Sequence, residues 1–271
     1  MLSKTKLYDV LIEAGIKSGD IAHVQSDLRR IGVIEGVDSR QGILNFYYNS
    51  IKDVIGIDGT ISVYTMYLDY GRKGIPFDVV NTKSQSGVFS EYIRCLDGSV
   101  RSIHPIVSTC ANGLKAEELC GGDHFSGHGG ASPWARLHRN DAWIVSLGLG
   151  SLPGGTSFIH YIESYYGVPY LYQKVFDTPV YYNNRKLDGT FTLNVHYLDF
   201  QIEYSTMEFR KSLVDSGKAL LRPLGNSDIF ICKASVMVEE GIKALSMNRY
   251  AFLKNPPKFI QGKIPFDGPL Y

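Results

Sequence analysis

The chain has 271 residues, of which 44% are hydrophobic and 12% aromatic, so it can form a globular protein with an ample core. Its 28 basic and 27 acidic side chains give a net charge of +1, which argues against nucleic-acid binding and against attraction to a membrane surface. No signal-peptide core and no apolar run long enough to span a bilayer is visible, so we expect a cytoplasmic protein without membrane contact.

Hydrophobic periodicity and turn residues predict alternating helices and strands in the first half of the chain. The predicted helices are 7–14, 26–30, 41–55 and 86–94, and the predicted strands are 20–25, 60–66 and 105–111. The glycine- and proline-containing segment 67–82 is predicted to be a long loop, and loops of that length are often functional.

The second half continues this alternation after an irregular, glycine-rich segment at 121–131. A helix begins at Ser132-Pro133, with proline at its favoured first position. The later predicted strands are 143–149, 171–182, 191–197 and 228–233, and the later predicted helices are one that begins near 156, 206–216 and 235–245. An Asn183-Asn184 turn is predicted to join strands 171–182 and 191–197.

The domain organisation and fold class follow from this alternation. No linker or internal repeat interrupts it, so we predict a single α/β domain over residues 1–271. A central mixed β-sheet is flanked by helices in this prediction. The proline-rich tail, from about residue 255 to 271, is expected to wrap the surface.

Neither the cysteines nor the histidines are spaced as metal ligands. The four cysteines form no CxxC pair, which indicates reduced core residues of a cytoplasmic protein. Three histidines close together in sequence fit no zinc motif either. They are His124, His128 and His138. We therefore expect no metal site and predict that these histidines are solvent-exposed. Several of the 18 tyrosines are expected to line a cleft.

The strongest functional signal lies after the buried strand 143–149. A glycine-rich turn follows this strand and leads into a helix that Thr156 or Ser157 can cap. His160 and Glu163 are three residues apart on this helix and therefore share a face. An imidazole beside a carboxylate is a common general base. The alternative is a partly buried histidine that only makes local hydrogen bonds.

Two further polar positions are candidates for ligand binding. The helix predicted to start after Ser26 offers unpaired N–H groups and a positive dipole end, which suit phosphate, although an ordinary helix cap explains it too. Ser108, near His104 at a predicted strand start, can donate to a carbonyl oxygen or bond to its neighbours.

Taken together, short sequence blocks resemble the aminoglycoside 3-N-acetyltransferase family, antibiotic N-acetyltransferases unrelated to the GNAT fold. The blocks are 23–32 ("VHSSLRALG" in the family), 77–78 with 86–91 ("FD…G-x-L-x-E"), 101–108 ("RS-x-HP-x-x-S"), 130–137 ("G-x-G-S-P-x-x-x-L") and 156–163 ("NTxLHxxE"). They occur in family order over roughly residues 20 to 200.

The resemblance implies an acetyl-CoA-dependent transfer to a primary amine, without a metal. His160 matches the family's histidine and is predicted to be the general base. In the family, an acidic residue further along the chain also orients this histidine. In the present sequence His196 occupies one of the family's acidic positions. Asp199 or Glu163 can supply the carboxylate instead; we prefer Asp199 as the orienting residue and Glu163 as a group that binds the acceptor ammonium.

Family position also predicts where acetyl-CoA binds. The Ser26 helix start would receive the pantetheine or pyrophosphate, and Ser108 would lie close to the thioester. The predicted acetyl-CoA-binding residues are Ser26, Asp27, Leu28, Arg29, His104, Ser108 and Ser132. The expected partner is a small-molecule amine, and a homodimer is also considered.

Charge decides our preference between acceptors. Polycationic aminoglycosides profit from an acidic cleft, whereas this chain is nearly neutral. Its tyrosines and basic residues suit a sugar nucleotide; the basic residues are Arg72, Lys73, Arg185 and Lys186. We therefore predict an amino-sugar N-acetyltransferase acting on a sugar nucleotide or precursor, with a true antibiotic-resistance aminoglycoside 3-N-acetyltransferase as the alternative. A hydrolase using His160 with Ser108, or a non-catalytic binding module, are the remaining alternatives.

Overall fold

The computed structural model of the chain describes residues 1–3, 5–200 and 202–259, without the Asp199 side chain. The predicted tail lies mostly outside these residues. The described strands are β1 (Ile21–Ser26), β2 (Thr60–Tyr64), β3 (Phe77–Asp78), β4 (Val100–Arg101), β5 (Thr109–Gly113), β6 (Trp143–Leu147), β7 (Leu171–Phe176), β8 (Val180–Tyr182), β9 (Arg185–Lys186), β10 (Phe191–His196), β11 (Ala219–Leu224) and β12 (Ser227–Lys233).

The helices alternate with these strands along most of the chain. They are α1 (Lys6–Glu13), α2 (Leu28–Ile31), α3 (Arg40–Ile55), α4 (Leu68–Lys73), α5 (Val88–Arg94), α6 (Ala116–Cys120), α7 (Pro133–Arg139), α8 (Phe158–Tyr166), α9 (Met207–Asp215) and α10 (Ala234–Met247), with a 3-10 turn at Leu198–Phe200. None of these described helices combines the length and the apolar character that crossing a membrane requires.

The central layer is a seven-stranded sheet in the order β11-β12-β6-β1-β2-β5-β4. Strand β1 lies in the middle and pairs in parallel with β2 and β6, while the outer pairings are antiparallel. All but the last residue of β1 is buried, as expected for a strand covered on both faces. The predicted mixed sheet flanked by helices is therefore confirmed.

The core divides into one cluster on each face of this sheet. Val24 packs in a cluster with α1 and α3, which contains the fully buried Tyr47. Strand side chains alternate between faces, so His23 and Gln25 turn to the opposite side, where His23 contacts Trp134 of α7 at 5.3 Å between ring centroids. This second face carries α7, α8 and α10 and therefore the His160 helix.

Two small sheets lie apart from the central one: the antiparallel β7–β10 pair and the β3-β8-β9 sheet. Their pairing corrects the predicted hairpin, because Asn183 and Asn184 adopt left-handed conformations (φ +50° and +62°) in the turn from β8 to β9. The predicted strand 171–182 is thus two strands, of which only β7 pairs with β10.

The predicted long loop 67–82 is also wrong, since it contains α4 and β3. A hydrogen bond to a residue far away in sequence stabilises this segment: the buried Tyr70 donates to the Thr178 carbonyl at 2.7 Å. The predicted strand 105–111 begins only at Thr109, because the preceding backbone is bonded elsewhere; Trp134 Nε1, for example, donates to the Val107 carbonyl at 3.0 Å.

The glycine-rich loop between β6 and α8 is fixed from both ends. Gly148 has a φ of +72°, and a Cβ there would lie 2.5 Å from the Asp27 carbonyl oxygen, so only glycine fits. The buried Arg210 of α9 donates to the carbonyl oxygens of Leu149, Gly150 and Leu152. This loop therefore presents α8 in a defined position.

Candidate active site

The first turn of helix α8 lies beside the end of strand β1, although the two elements are far apart in sequence. One side chain of β1 joins them. Gln25 of β1 accepts a hydrogen bond from the Ser157 backbone N–H at 2.8 Å, just before the first residue of α8. His160 and Glu163 then lie one turn apart, and His160 Nδ1 is 2.9 Å from Glu163 Oε2. The predicted pair is therefore brought together.

Glu163 is a fully buried carboxylate held by several donors. The Tyr170 hydroxyl donates to its other oxygen at 2.5 Å, and Tyr204 also donates to this carboxylate. Burial first, and then the Glu163 charge, raise the pKa of both tyrosines above their usual range, so both remain protonated donors. Three donors thus compensate the desolvation of the Glu163 side chain.

His160 presents its second nitrogen away from this buried pair. A carboxylate only accepts hydrogen bonds, so Nδ1 carries the proton and Nε2 the lone pair. The His160 side chain is 42% exposed, and it lines a cavity beside Tyr204, whose ring lies edge-on with its centroid 4.8 Å away. A fixed tautomer with an accessible lone pair is what a general base requires.

The cavity has a volume of about 470 Å³, within the range of small-molecule sites. Its wall is mostly aliphatic and aromatic: Tyr64, Leu68, Ile106, Val107, Leu171, Tyr172, Phe176, Leu193, Val195, Leu198 and Tyr204. The prediction that tyrosines line a cleft is confirmed. Arg72 and Lys174 are the charged residues of this lining, and no aspartate or glutamate belongs to it among the described residues.

Two more histidines, His128 and His196, line this cavity, and only His128 was among those predicted to be solvent-exposed. His196 is half-buried, and burial together with the nearby His160 lowers its pKa. His128 accompanies it, with its Nε2 buried, and His124 is only 3% exposed. The predicted exposure of His124 and His128 is therefore wrong, because the irregular segment folds inwards. The described residues contain no group of three metal-ligating side chains.

The residues predicted around Ser26 lie outside the described cavity lining. Helix α2 has only four residues, so it provides little of the dipole that the phosphate prediction assumed. Asp27 stands at its start and pairs with the 91% exposed Arg29 at 2.9 Å. Leu28 lies in the same turn, so Ser26, Asp27, Leu28 and Arg29 are close to one another. Their contact with acetyl-CoA stays a prediction.

His104, Ser108 and Ser132 are all buried and also lie outside that lining. Ser132 caps α7 by accepting from the Ala135 N–H at 3.3 Å, and His104 Nε2 lies 3.1 Å from the Thr192 carbonyl. Their predicted acetyl-CoA contacts stay predictions.

Ser108 belongs to a buried hydrogen-bond network centred on Arg101. Its hydroxyl lies 2.9 Å from Thr65 Oγ1 and accepts from Arg101 Nε at 3.0 Å. A serine nucleophile needs an adjacent base, and none of the described hydrogen-bond partners of Ser108 is one. This arrangement argues against the serine hydrolase alternative.

Asp199 lies in the short turn after β10, and its side chain is outside the described part of the structure. Its role as the orienting residue stays a prediction, whereas Glu163 makes the required contact with His160. Glu163 is also outside the described cavity lining, which argues against binding of the acceptor ammonium. Sequence spacing missed Tyr170 and Tyr204, because both reach Glu163 only through the fold.

Comparison with known proteins identifies the family. The family model described as aminoglycoside 3-N-acetyltransferase matches residues 24–246. Two curated proteins of Salmonella sp. are similar to the chain: aminoglycoside N(3)-acetyltransferase IV is 28% identical over 170 residues and aminoglycoside N(3)-acetyltransferase III is 27% identical over 188 residues. Each match covers 62% of this chain, and 60% and 63% of the relatives, so the chain spans about three fifths of their length.

The fold agrees with solved structures of such enzymes. The structure of AAC-IIIb in a binary complex with CoASH aligns with a TM-score of 0.73 and 20% identity, over 94% of this chain and 99% of that one. At this identity the likeness concerns the fold. The family assignment depends on the sequence match, which extends over most of the chain: this protein belongs to the aminoglycoside 3-N-acetyltransferase family.

Proposed function

We propose that this protein transfers the acetyl group of acetyl-CoA to a primary amine of an aminoglycoside. The observation that carries the proposal is the His160–Glu163 pair, whose imidazole opens onto a cavity of ligand size. The family assignment, the curated relatives named aminoglycoside N(3)-acetyltransferases and the CoASH complex of a protein with the same fold support it.

The chemistry follows from the groups present. The acceptor nitrogen attacks the thioester carbonyl carbon, a C–N bond forms, and the carbonyl electron pair moves onto oxygen. His160 Nε2 accepts a proton from the nitrogen, and Glu163 stabilises the resulting imidazolium. The C=O bond then reforms while the C–S bond breaks, and the thiolate of CoA leaves and is protonated by the imidazolium.

The cavity wall suits the reacting end of acetyl-CoA. The acetyl group, the sulfur and the adjacent ethylene group are apolar, and the wall is formed mainly by side chains such as Ile106, Leu171 and Phe176. The cavity volume of about 470 Å³ is large enough for this end together with one ring of the acceptor. The predicted contacts of Ser26 and Ser108 with acetyl-CoA are included in this proposal, but the proposal does not depend on them.

A single observation favours a second class of acceptor, the nucleotide-linked or phosphorylated amino sugars. The charged side chains of the described cavity lining, Arg72 and Lys174, are cationic. They suit an amino sugar that bears a phosphate or diphosphate, as the near-neutral charge of the chain predicted. The relatives support the aminoglycoside instead, and nothing among them supports the sugar nucleotide.

The acceptor is tested by comparing kcat/KM for kanamycin- or gentamicin-like amines with kcat/KM for nucleotide-linked amino sugars, with acetyl-CoA saturating. We expect the aminoglycosides to be better substrates. Higher kcat/KM for a nucleotide-linked amino sugar would overturn the aminoglycoside assignment. In that case added salt should also raise the KM of the acceptor, because screening weakens its attraction to Arg72 and Lys174.

Glu163→Gln is expected to lower kcat by about 10- to 100-fold, less than loss of the base itself. The imidazolium loses its negative partner, so the acid limb of the pH profile of kcat/KM should move to lower pH. Tyr170→Phe is the matched control, since it removes a hydrogen bond from the carboxylate but keeps its charge. An unchanged pH profile in Glu163→Gln would assign the orienting role elsewhere, with Asp199 the first candidate.

A further inference from the structure

His128 is a cavity-lining histidine that the mechanism above does not use. It belongs to the glycine-rich segment before α7, and its ring packs edge-on against Trp134 and Tyr161, at 5.9 and 6.5 Å between ring centroids. These contacts hold the ring beside the same cavity that His160 lines. Its position therefore places a second imidazole beside the cavity in which the proposed reaction takes place.

The two ring nitrogens of His128 have different surroundings. Nδ1 lies 2.9 Å from the hydroxyl of Ser164, which follows Glu163 on α8. Nε2 is buried and has no hydrogen-bond partner in the part of the chain that the structure describes. A buried polar group without a partner is unfavourable, and a ligand that enters the cavity can supply one.

The contact with Ser164 is compatible with a tautomer in which Nε2 carries the proton. In that tautomer the Ser164 hydroxyl donates to Nδ1, and Nε2 is the N–H donor that the proposal below uses. Burial, and to a smaller degree the charges of His160 and His104, lower the pKa of His128 well below its usual value. His128 therefore stays neutral and offers a hydrogen-bond donor rather than a second base.

Two other donors that line the cavity are already engaged. The Tyr64 hydroxyl donates to the Ile106 carbonyl at 3.1 Å, and Tyr204 donates to Glu163. The reaction creates a negative oxygen, and such an oxygen needs a donor that is preorganised to receive it. Among these three side chains, His128 is the one whose Nε2 has no assigned partner, and Arg72 and Asn194 are further donor side chains of the same lining.

We propose that His128 donates its Nε2–H to the thioester carbonyl oxygen and stabilises the oxyanion that forms when the acceptor amine attacks. This inference rests on the proposed acetyl transfer. The electron pair of the C=O bond moves onto oxygen as the C–N bond forms, and returns as the C–S bond breaks. His128 keeps its proton throughout, whereas His160 accepts the proton of the amine.

Kinetics of three variants test this role. His128→Leu should lower kcat by about 10²- to 10³-fold, with the KM of the acceptor changed little. His128→Gln should recover part of this loss, because its amide N–H can replace Nε2–H. Ser164→Ala should cause a smaller loss, since the tautomer is no longer fixed. The pH profile should keep its position in His128→Gln, because His128 keeps its proton throughout the proposed reaction. A raised acceptor KM with unchanged kcat in His128→Leu would overturn the proposal.

A binding measurement separates this inference from the proposed function. S-ethyl-CoA has the size of acetyl-CoA but lacks the carbonyl oxygen. Calorimetry should show that the wild-type protein binds acetyl-CoA about five- to tenfold more tightly than S-ethyl-CoA, that His128→Leu loses this preference and that His128→Gln retains part of it. This result without acetylation of any amine would contradict the proposed function alone. Acetyl transfer with an unchanged preference and unchanged kcat in His128→Leu would contradict the role of His128 alone.

Discussion

Replacing His160 by glutamine is expected to lower kcat by about 10²- to 10⁴-fold, with nearly unchanged affinity for acetyl-CoA. Glutamine can hydrogen bond to Glu163, but its amide group is not basic enough to accept a proton from the attacking amine. The ring lines the cavity as one of many residues, so its loss should affect binding little. Steady-state kinetics at saturating substrates and calorimetry with acetyl-CoA measure the two effects separately.

His138→Gln is the matched control for this substitution. His138 is also half-buried and also hydrogen bonds through Nδ1, here with the Tyr161 hydroxyl at 3.1 Å, but it is not among the described cavity-lining residues. It should keep nearly wild-type kcat. Wild-type turnover in His160→Gln would end the proposed mechanism. Acetyl-CoA binding by the wild-type protein without turnover of any amine would instead favour the alternative of a non-catalytic binding module.

Local patterns predicted the part of the site that lies within one helix. The i, i+3 spacing of His160 and Glu163 is a property of helix geometry, so the sequence placed both on one face before the fold was known. Tyr170 and Tyr204 also determine the state of Glu163, but they reach it from beyond the end of α8 and from another part of the chain. Nothing in local spacing indicates such contacts.

The acetyl-CoA contacts of Ser26 and Ser108 stay predictions, but the local structure around both residues depends on features that the sequence does not reveal. A helix-dipole argument depends on helix length, and α2 is a single turn that the pattern after Ser26 does not reveal. The sequence left open whether Ser108 donates to a ligand carbonyl or bonds to its neighbours. Arg101, which is only 8% exposed, holds this serine in a buried network, as the second interpretation predicts. A buried arginine contradicts the usual preference of its residue type, so composition could not predict it.

The net charge of the whole chain says little about the cavity proposed to bind the acceptor. Of the basic residues chosen from sequence, Arg72 lines the cavity, whereas Lys73 pairs with Asp69 at 3.2 Å and β9 carries the other two as exposed residues. Net charge averages over surfaces that no ligand touches. The family match therefore decides the acceptor proposal more strongly than the near-zero balance does.

Acidification from pH 7 to pH 5 is expected to lower the free energy of unfolding by about 4 kcal/mol through His23 and His104 alone. Both imidazoles are buried, and burial lowers the pKa of each from 6.5 to about 3. The unfolded chain therefore binds protons below about pH 6.5 that the folded chain does not bind until about pH 3. Stability is fully present above this window and is lost as the pH falls through it.

Urea unfolding at pH 7, 6 and 5, in the wild-type protein and in His23→Gln, measures this effect. In the wild-type protein the Ser62 hydroxyl lies 3.1 Å from His23 Nδ1. The glutamine of the variant keeps a polar group opposite Ser62, but this group does not titrate. Its loss of stability between pH 7 and pH 5 should be smaller by about 2 kcal/mol. Burial of Glu91 raises its pKa, but hydrogen bonds from Arg94 and the Ser84 N–H outweigh this effect and lower the pKa to about 2. Glu91 therefore affects stability mainly below pH 4.5, so the change between pH 7 and pH 5 comes from the histidines. Equal pH dependence in both proteins would show that His23 is protonated in the folded state, against its complete burial beside Trp134.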